Sequence, residues 1–593
     1  MVGEEVQESS FQFTPETYEE QLLALIAEIE DLATFDQAGY QSVLRRHPKD
    51  GSGFFSKSEI IQGFRHFHAR HPWQHSAESF AEKLRKKPIR TLSGVAPVTV
   101  LTKPFPCPGR CIFCPSDVRM PKSYLSDEPG AQRAAQHQFD PYTQTLSRLT
   151  TYHHNGHHAD KVELIILGGT WSYYPEDYQV WFIKRCFDAM NDFAGQRESG
   201  FDFEAPPPAI DFRELAETVD GRTLNRTYNT IVTDFTELHP ASHKPGDGTG
   251  WDELTRVQQL NETAEARCVG LVVETRPDHL DSAEVIRLRR LGTTKVQIGY
   301  QSLSDRVLEL NHRGHDVAAT RRAMRLLREA GFKIHAHWMP NLYGSSPRED
   351  VEDFERIFSD PHFRPDELKI YPCSLIESAE LMSYFESGKW QPYSHDDLVE
   401  VLIECLQKTP EYCRVTRVIR DIPGDDIVVG NKMTNLRQVA DEELRHRGLV
   451  CRDIRSREVR HRPVAQQELE LKTTEYDTSV GREVFVQYVT REDRIAALLR
   501  LLLPDHPGPI EELEESAIIR EIHVYGLLVS IGERQDGRSQ HLGLGRSLVQ
   551  LATETARAAG FEDLAVISSV GTREYYRSLG FVDGPLYQHL DLS

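Results

Sequence analysis

The sequence predicts an α/β protein: a partial βα barrel, a smaller α/β domain after it, and a helical region in front. Three observations predict this. The chain has 593 residues, too many for one hydrophobic core, so several domains are expected. Between residues 83 and 408 short apolar strands alternate with amphipathic helices, the rhythm of βα units around a parallel sheet. From 476 to 593 the pattern is strand, glycine-rich turn, helix, strand and short helix, enough for a second sheet.

The helical region spans 1–82. "YEEQLLALIAEIEDLA" places apolar residues at helical spacing. The acidic start, MVGEEVQESS, has no apolar stretch of the kind a signal peptide needs. No apolar run reaches membrane length, so a cytoplasmic protein without a membrane partner is expected. In that compartment thiols stay reduced, and close cysteines indicate metal or redox chemistry. A formal net charge of −22 argues on average against a nucleic-acid partner. A local patch can override the average. Lys83, Arg85, Lys86, Lys87, Arg90, Lys103 and Arg110 follow one another with no acidic residue between them. The run leads into a cysteine cluster, which favours the border of an active site over an ordinary solvated face.

In the barrel segment, "KVELIILGGT", "CVGLVVETRP", "TKVQIGYQS", "FKIHAHWMP" and "ELKIYP" read as buried strands. Barrel chemistry sits at the C-terminal strand ends. Those ends carry Gly168, Gly169 and Thr170, then Glu274, Thr275 and Arg276, then Gln301, then His337. Residues 193–250, rich in Pro, Gly and Asp, read as a surface insertion. Residues 409–475, rich in arginine and including Arg417 and Arg420, read as a linker domain.

"FPCPGRCIFCPS" puts Cys107, Cys111 and Cys114 within eight positions. A structural zinc needs four ligands, and a [4Fe–4S] cluster held by three thiolates keeps one iron open for a substrate. The apolar pair Ile112–Phe113 would shield such a cluster. The spacing resembles the motif of radical S-adenosylmethionine (SAM) enzymes; a zinc site borrowing a distant residue is the rival reading. On that reading Gly168, Gly169 and Thr170 offer backbone groups to the SAM amino group. Glu274 and Arg276 face its ribose and carboxylate, and Gln301 lies at the next strand end.

"QHLGLG" gives Gln540, Gly543 and Gly545 ahead of a helix. Glycines there let backbone N–H groups approach a pyrophosphate. With flanking strands and the paired Tyr575 and Tyr576, the segment resembles the acetyl-CoA site of GNAT acetyltransferases. A pantetheine arm would pair with the backbone of Glu521, Ile522, His523 and Val524. A tyrosine would serve as general acid, unless the pair only packs a core.

Together the two halves resemble the family of the catalytic third subunit of Elongator, in its stand-alone bacterial and archaeal type. The resemblance runs from about Lys83 to the C-terminus. It rests on "KKPIRTLSGVAPVTVLTKP", "DKVELIILGGT", "GLVVETRPD", "NHRGHDV", "AGFKIHAHWMPN", "LKIYP", "RVIRDIP", "CRDIRSREV", "REIHVYG" and "GTREYYRSLGF". It implies an enzyme that converts the wobble uridine of tRNA toward 5-carboxymethyluridine with SAM and acetyl-CoA. By position it implies Cys107, Cys111 and Cys114 as ligands of a [4Fe–4S] cluster. The acetyl-CoA contacts would be Lys161, the backbone from Glu521 to Val524, Leu544, Gly545, Arg546 and Tyr576. Lys161, Tyr575 and Tyr576 stand as catalytic candidates. The tRNA anticodon stem-loop would meet Lys83, Lys86, Lys87, Arg90, Lys103, Arg417 and Arg420, and an electron donor of unspecified identity is needed. Cys373, Cys405, Cys413 and Cys451 are either ligands of a structural zinc or buried thiols. Cys107 and Cys111 stand closer together than in many relatives, and the acidic start lacks the basic segment that others carry. The rival functions are a protein lysine acetyltransferase with a structural cluster, and a tRNA-binding assembly factor.

Overall fold

The computed structural model describes residues 13–32, 35–51, 53–87, 91, 94–196, 228–233, 249–460, 464–525 and 543–593. Arg90, Gln540 and most of the expected insertion lie outside the described residues. Among the described residues no helix is long and apolar enough to cross a membrane.

Four helices come first: α1 (Glu19–Glu30), α2 (Gln37–Arg46), α3 (Lys57–Phe67) and α4 (Ala77–Leu84). Leu22, Leu25, Ile26 and Ile29 form the buried stripe of α1, the expected 3.6-residue pattern. Ser56 and Glu59 close a capping box on α3. Phe64 stacks between Trp73 and Phe80, with ring centroids at 4.3 and 3.9 Å. This core is separate from the main one, and Arg65 ties it to the rest by donating to the His153 carbonyl at 2.8 Å.

β1 (Ala96–Leu101) opens the barrel. Helices α5 (Pro129–Gln136) and α6 (Pro141–His154) lead to β2 (Lys161–Leu167), and α7 (Glu176–Gln196) follows. Next come β3 (Arg267–Thr275), β4 (Lys295–Gln301), β5 (Lys333–Trp338) and β6 (Glu367–Ile370). A short β7 (Leu375–Ile376) leaves the sheet, β8 (Arg414–Arg417) completes it, and β9 (Ile427–Val429) pairs antiparallel with β7. The sheet order is β1-β2-β3-β4-β5-β6-β8, parallel throughout. It is an open half-barrel. The free edge of β1 is met by α6: Gln144 accepts from the Leu101 N–H and donates to its carbonyl, both at 3.0 Å.

Alternate residues of each strand face opposite ways. Ile334, Ala336 and Trp338 of β5 join the apolar core under the helices. Lys333, His335 and His337 face the barrel interior. There Lys333 and Lys295 bond Glu367, and His337 bonds Gln297. Barrel interiors are ordinarily filled with branched aliphatics; here the side formed by β4 to β6 is charged.

The second sheet is built from β10 (Glu470–Asp477), β11 (Gly481–Val489), β12 (Ile495–Pro504), β13 (Ser516–Val524), β14 (Asp563–Val566), β15 (Val582–Asp583) and β16 (Gln588–Asp591). Its order is β10-β11-β12-β13-β14-β16-β15. β13 runs parallel to β14 only from Ser516 to Ile519, then splays away. The helix Leu544–Ala558 follows Gly543, whose φ of +68° suits glycine. The expected division of the chain differs from the sheets in two places. β8 comes from the segment expected as a linker, and β10 begins inside it. β8 buries Val415 against β6, β10 is a half-exposed edge strand paired with β11, and Leu436, Ala440 and Leu444 join the main core, so the segment has no core of its own.

The C-terminal sheet packs on the N-terminal strand ends of the half-barrel. Arg520 reaches Asp366 and Glu483 at 2.5 and 2.6 Å. Glu521 bonds Lys333 at 2.6 Å and Arg500 at 2.8 Å. Arg289 donates to the Ser568 carbonyl, and Tyr587 to that of Ala330.

Candidate functional site

A cavity of about 790 Å³ opens at the C-terminal strand ends. Cys107, Cys111 and Cys114 line it with Gly168, Gly169, Thr170, Glu274, Arg276 and Gln301. All nine residues expected at the cluster and SAM site therefore line one cavity.

The cysteine loop is pinned at its middle. The Ile112 N–H donates to Asn311, its carbonyl accepts from Leu381, and its side chain is buried in an apolar cluster. Phe113 lines the cavity. Cys107 is held by paired backbone bonds with the Asn229 side chain. Arg313 donates to the Cys111 sulfur at 3.3 Å and to the Gly299 carbonyl at 2.5 Å. Burial raises the Cys111 thiol, but the charges of Arg313, Arg276 and Lys122 outweigh it and its pKa falls below the ordinary value. Burial raises the Cys107 thiol, and pushes Cys114 up to about 12. Among the described residues no three His, Cys, Asp or Glu form a group that holds a metal as they stand. The donor chemistry nevertheless fits a thiolate-bound cluster. Three thiols on one loop face one cavity, and a metal's own charge deprotonates coordinating thiols.

The strand ends are shaped for a ligand. Gly168 has φ +145°, and a Cβ there would stand 1.8 Å from the Thr102 hydroxyl. A Cβ on Gly109 would meet the Arg276 guanidinium at 2.3 Å. Gln301 has φ +65°, a strained value for a side-chain-bearing residue, and its buried Oε1 has no hydrogen-bond partner. Arg276 is committed to Asp278, at 2.8 and 3.0 Å, and to the Arg313 carbonyl. Glu274 lies 3.7 Å from His337.

Sequence reasoning gave no role to Arg313, Lys122, Lys369 or Tyr371, which also line the cavity. "NHRGHDV" was the available signal for Arg313. Its side chain reaches the cysteines across the barrel, a contact no local pattern encodes. The wall holds nine Lys and Arg residues against four Asp and Glu, a basic pocket in an acidic chain. Arg417 and Arg420 belong to it, the latter bonded to Glu128 at 2.6 Å. Lys86 and Lys87 are exposed in the turn after α4, where Lys83 is half-buried. Lys103 lies over the Tyr178 ring at 4.8 Å, and burial lowers it to about 7.

At the C-terminal site, the Tyr575 hydroxyl stands 2.7 Å from the position of a Cβ on Gly545, with Val524 at 4.0 Å. Arg546 acts electrostatically on Tyr575. Tyr576 is buried against Phe581. Leu544 is buried at the start of the helix. Ile522, His523 and Val524 lie on the splayed part of β13 beside Glu521, and the buried His523 Nε2 has no partner. Lys161 starts β2, at the end of the barrel away from the cysteines, and burial lowers its pKa. Cys373, Cys405 and Cys413 are buried in apolar clusters, and Cys451 bonds Asp453. Among the described residues they belong to no group of His, Cys, Asp and Glu that could hold a metal ion, and Cys451 is half-buried.

Comparison with known proteins agrees with this geometry. Residues 249–358 match the Radical SAM superfamily, and residues 365–446 match the Radical_SAM C-terminal domain. The chain is 38% identical to a tRNA uridine(34) acetyltransferase of Dehalococcoides mccartyi, over 85% of this chain and 100% of that protein. It is 34% identical to human Elongator complex protein 3, over 85% of each. The solved structure of archaeal Methanocaldococcus infernus Elp3 with an N-terminal deletion aligns with TM-score 0.65 and 31% identity. That alignment covers 84% of this chain and 100% of the other. The cysteine-lined half-barrel and its basic pocket are thus those of a radical SAM protein, and the chain belongs to the family of Elongator complex protein 3 and the tRNA uridine(34) acetyltransferases.

Proposed function

We propose that the protein modifies the wobble uridine of tRNA, using SAM-derived radical chemistry and acetyl-CoA to form 5-carboxymethyluridine. The observation that carries this reading is the single cavity that gathers three cysteines, the glycine-rich and polar strand ends, and a basic wall. The names of the relatives support tRNA as substrate. We further infer that the C-terminal sheet is a GNAT domain, supported by its splayed β13 and the glycine that starts the following helix.

Cys107, Cys111 and Cys114 would hold the cluster, and Gly168, Gly169, Thr170, Glu274 and Gln301 would orient SAM beside it. Bound there, these groups supply one-electron chemistry, which suits carbon 5 of uridine, a poor partner for two-electron acetyl transfer. Arg313 and Lys122 keep positive charge against the sulfurs. Lys122 is itself held by Ser116. Basic residues at the mouth bind phosphates, and the uridine leaves its stack to reach the floor. In the C-terminal domain the backbone from Glu521 to Val524, with Leu544, Gly545 and Arg546, would hold acetyl-CoA. Tyr575 presents its hydroxyl at the glycine turn and is the better placed of the two tyrosines to act as general acid.

Acetyl-CoA with a deuterated methyl group tests the reading. Deuterium should appear in 5′-deoxyadenosine in the presence of tRNA, with carboxymethyl product on the wobble uridine. Deuterium found only in acetylated lysines of a protein substrate would establish a protein acetyltransferase instead.

A further inference from the structure

The turn that follows β2 buries two aromatic rings and exposes a third between them. Trp171 and Tyr174 are 2% and 4% exposed, whereas Tyr173 is 43% exposed. The turn is held from two sides. The Tyr173 N–H donates to the Thr170 carbonyl at 3.0 Å, and the Thr275 hydroxyl of β3 donates to that of Ser172 at 2.8 Å. Tyr173 is therefore presented by a fixed backbone. Two further rings flank it. Phe105, after β1, meets it edge to face with centroids 6.1 Å apart, and His279, after β3, does so at 5.5 Å. Phe105 also stacks on the buried Tyr174 at 4.7 Å. The rings thus stand at the ends of three neighbouring strands. Each is two or three residues from a residue that lines the cavity: Phe105 from Cys107, Tyr173 from Thr170, His279 from Arg276. A single exposed aromatic residue is ordinary; three joined rings beside a basic cavity form a surface. Asp278, next to His279, is paired with Arg276 at 2.8 Å, and Glu176, three residues after Tyr173, with Arg287 at 3.1 Å. Neither carboxylate presents an unmet negative charge to a phosphate.

We propose that Tyr173, propped by Phe105 and His279, is a stacking platform for the unpaired base next to the uridine that enters the cavity. Extruding one nucleotide from a loop costs stacking energy, and the neighbour it leaves behind has a bare face. An aromatic ring covers that face whatever the base, because every base has a π-face. A substrate must then offer two adjacent unpaired bases, which an anticodon loop does and a duplex does not. This inference rests on the tRNA reading above.

Fluorescence anisotropy of a labelled tRNA with a wobble uridine, titrated with the full chain at several salt concentrations, tests the platform. Tyr173→Ala should weaken binding about fivefold or more, the equivalent of roughly 1 kcal/mol for one stacked base. The salt slope should stay as it is, because stacking neutralises no phosphate. Tyr173→Phe keeps the ring and should bind like the parent chain. The same tRNA with an abasic site on one or the other side of the wobble position completes a double-mutant cycle. On one of the two sides the abasic site should weaken the parent chain by a similar factor, and weaken Tyr173→Ala no further. Additive losses on both sides overturn the platform. So does an affinity loss with a shallower salt slope, which would make Tyr173 part of a phosphate site. An unchanged affinity in Tyr173→Ala overturns it as well and leaves the rings to a protein partner. A parent chain that binds no tRNA sinks the tRNA reading itself, whereas tRNA binding that ignores Tyr173 sinks only the platform.

Discussion

Asp366 and Arg520 face each other with both side chains fully shielded from water, Oδ2 standing 2.5 Å from Nη2. One lies beside β6 and the other in β13, so the pair joins the half-barrel to the C-terminal sheet. Asp366→Ala takes one carboxylate from the buried Arg520 and Arg500, which keep Glu483 and Glu521, and should cost up to about 3–5 kcal/mol. Urea denaturation should show the midpoint falling accordingly. An unchanged midpoint would mean that the junction is held by apolar packing alone.

Acid should weaken the same junction. Burial works against the charge of Glu521, but Lys333 and Arg500 hold its carboxyl down at about 2, against an ordinary 4.5. The folded value lies below the unfolded one, so this contribution is complete above about pH 4.5 and is lost as pH falls toward 2. Glu521→Gln should flatten the pH dependence of stability across that window. Parallel curves for parent and variant would remove Glu521 from the account.

Anaerobic reconstitution tests the cysteines. Cys111→Ser should lose bound iron and the thiolate–iron absorbance while keeping its circular dichroism, because three thiolates are the whole protein contribution to the cluster. Iron retained by the triple Cys→Ser variant would move the cluster elsewhere.

Lys86→Glu with Lys87→Glu should weaken tRNA binding and lower the salt slope by roughly 0.7–0.9 for each phosphate that is no longer neutralised. The same change in Arg417→Glu but not in the lysine pair would confine tRNA to the cavity mouth.

Tyr575→Phe should slow tRNA-stimulated acetyl-CoA turnover by about 10²-fold or more if its hydroxyl is the acid. Tyr576→Phe should act mainly on stability, because that ring is packed against Phe581. The reverse ranking would return the role to Tyr576.

The strands of the half-barrel were readable where apolar runs are unbroken, as in "ELIIL" before Gly168 and "VGLVVET" before Arg276. So were the cysteines and the strand-end residues beside them, because local spacing encodes them. β8 was not, since "RVTR" is short and polar and becomes a strand only by pairing with β6. "FKIHAHW" reads as a strand, but nothing local says that Lys333, His335 and His337 line a charged interior. Arg313, 202 positions from Cys111, and the junction of Asp366, Glu483, Arg500 and Arg520 are products of tertiary packing alone.

Gln144 stands where an eighth strand would be. A parallel edge such as β1 offers its free N–H and C=O groups to any extended chain that approaches. By occupying both groups of Leu101, one glutamine withdraws that invitation at the rim of the pocket. A barrel can then stay unfinished, open along one side, without becoming a template for its own aggregation.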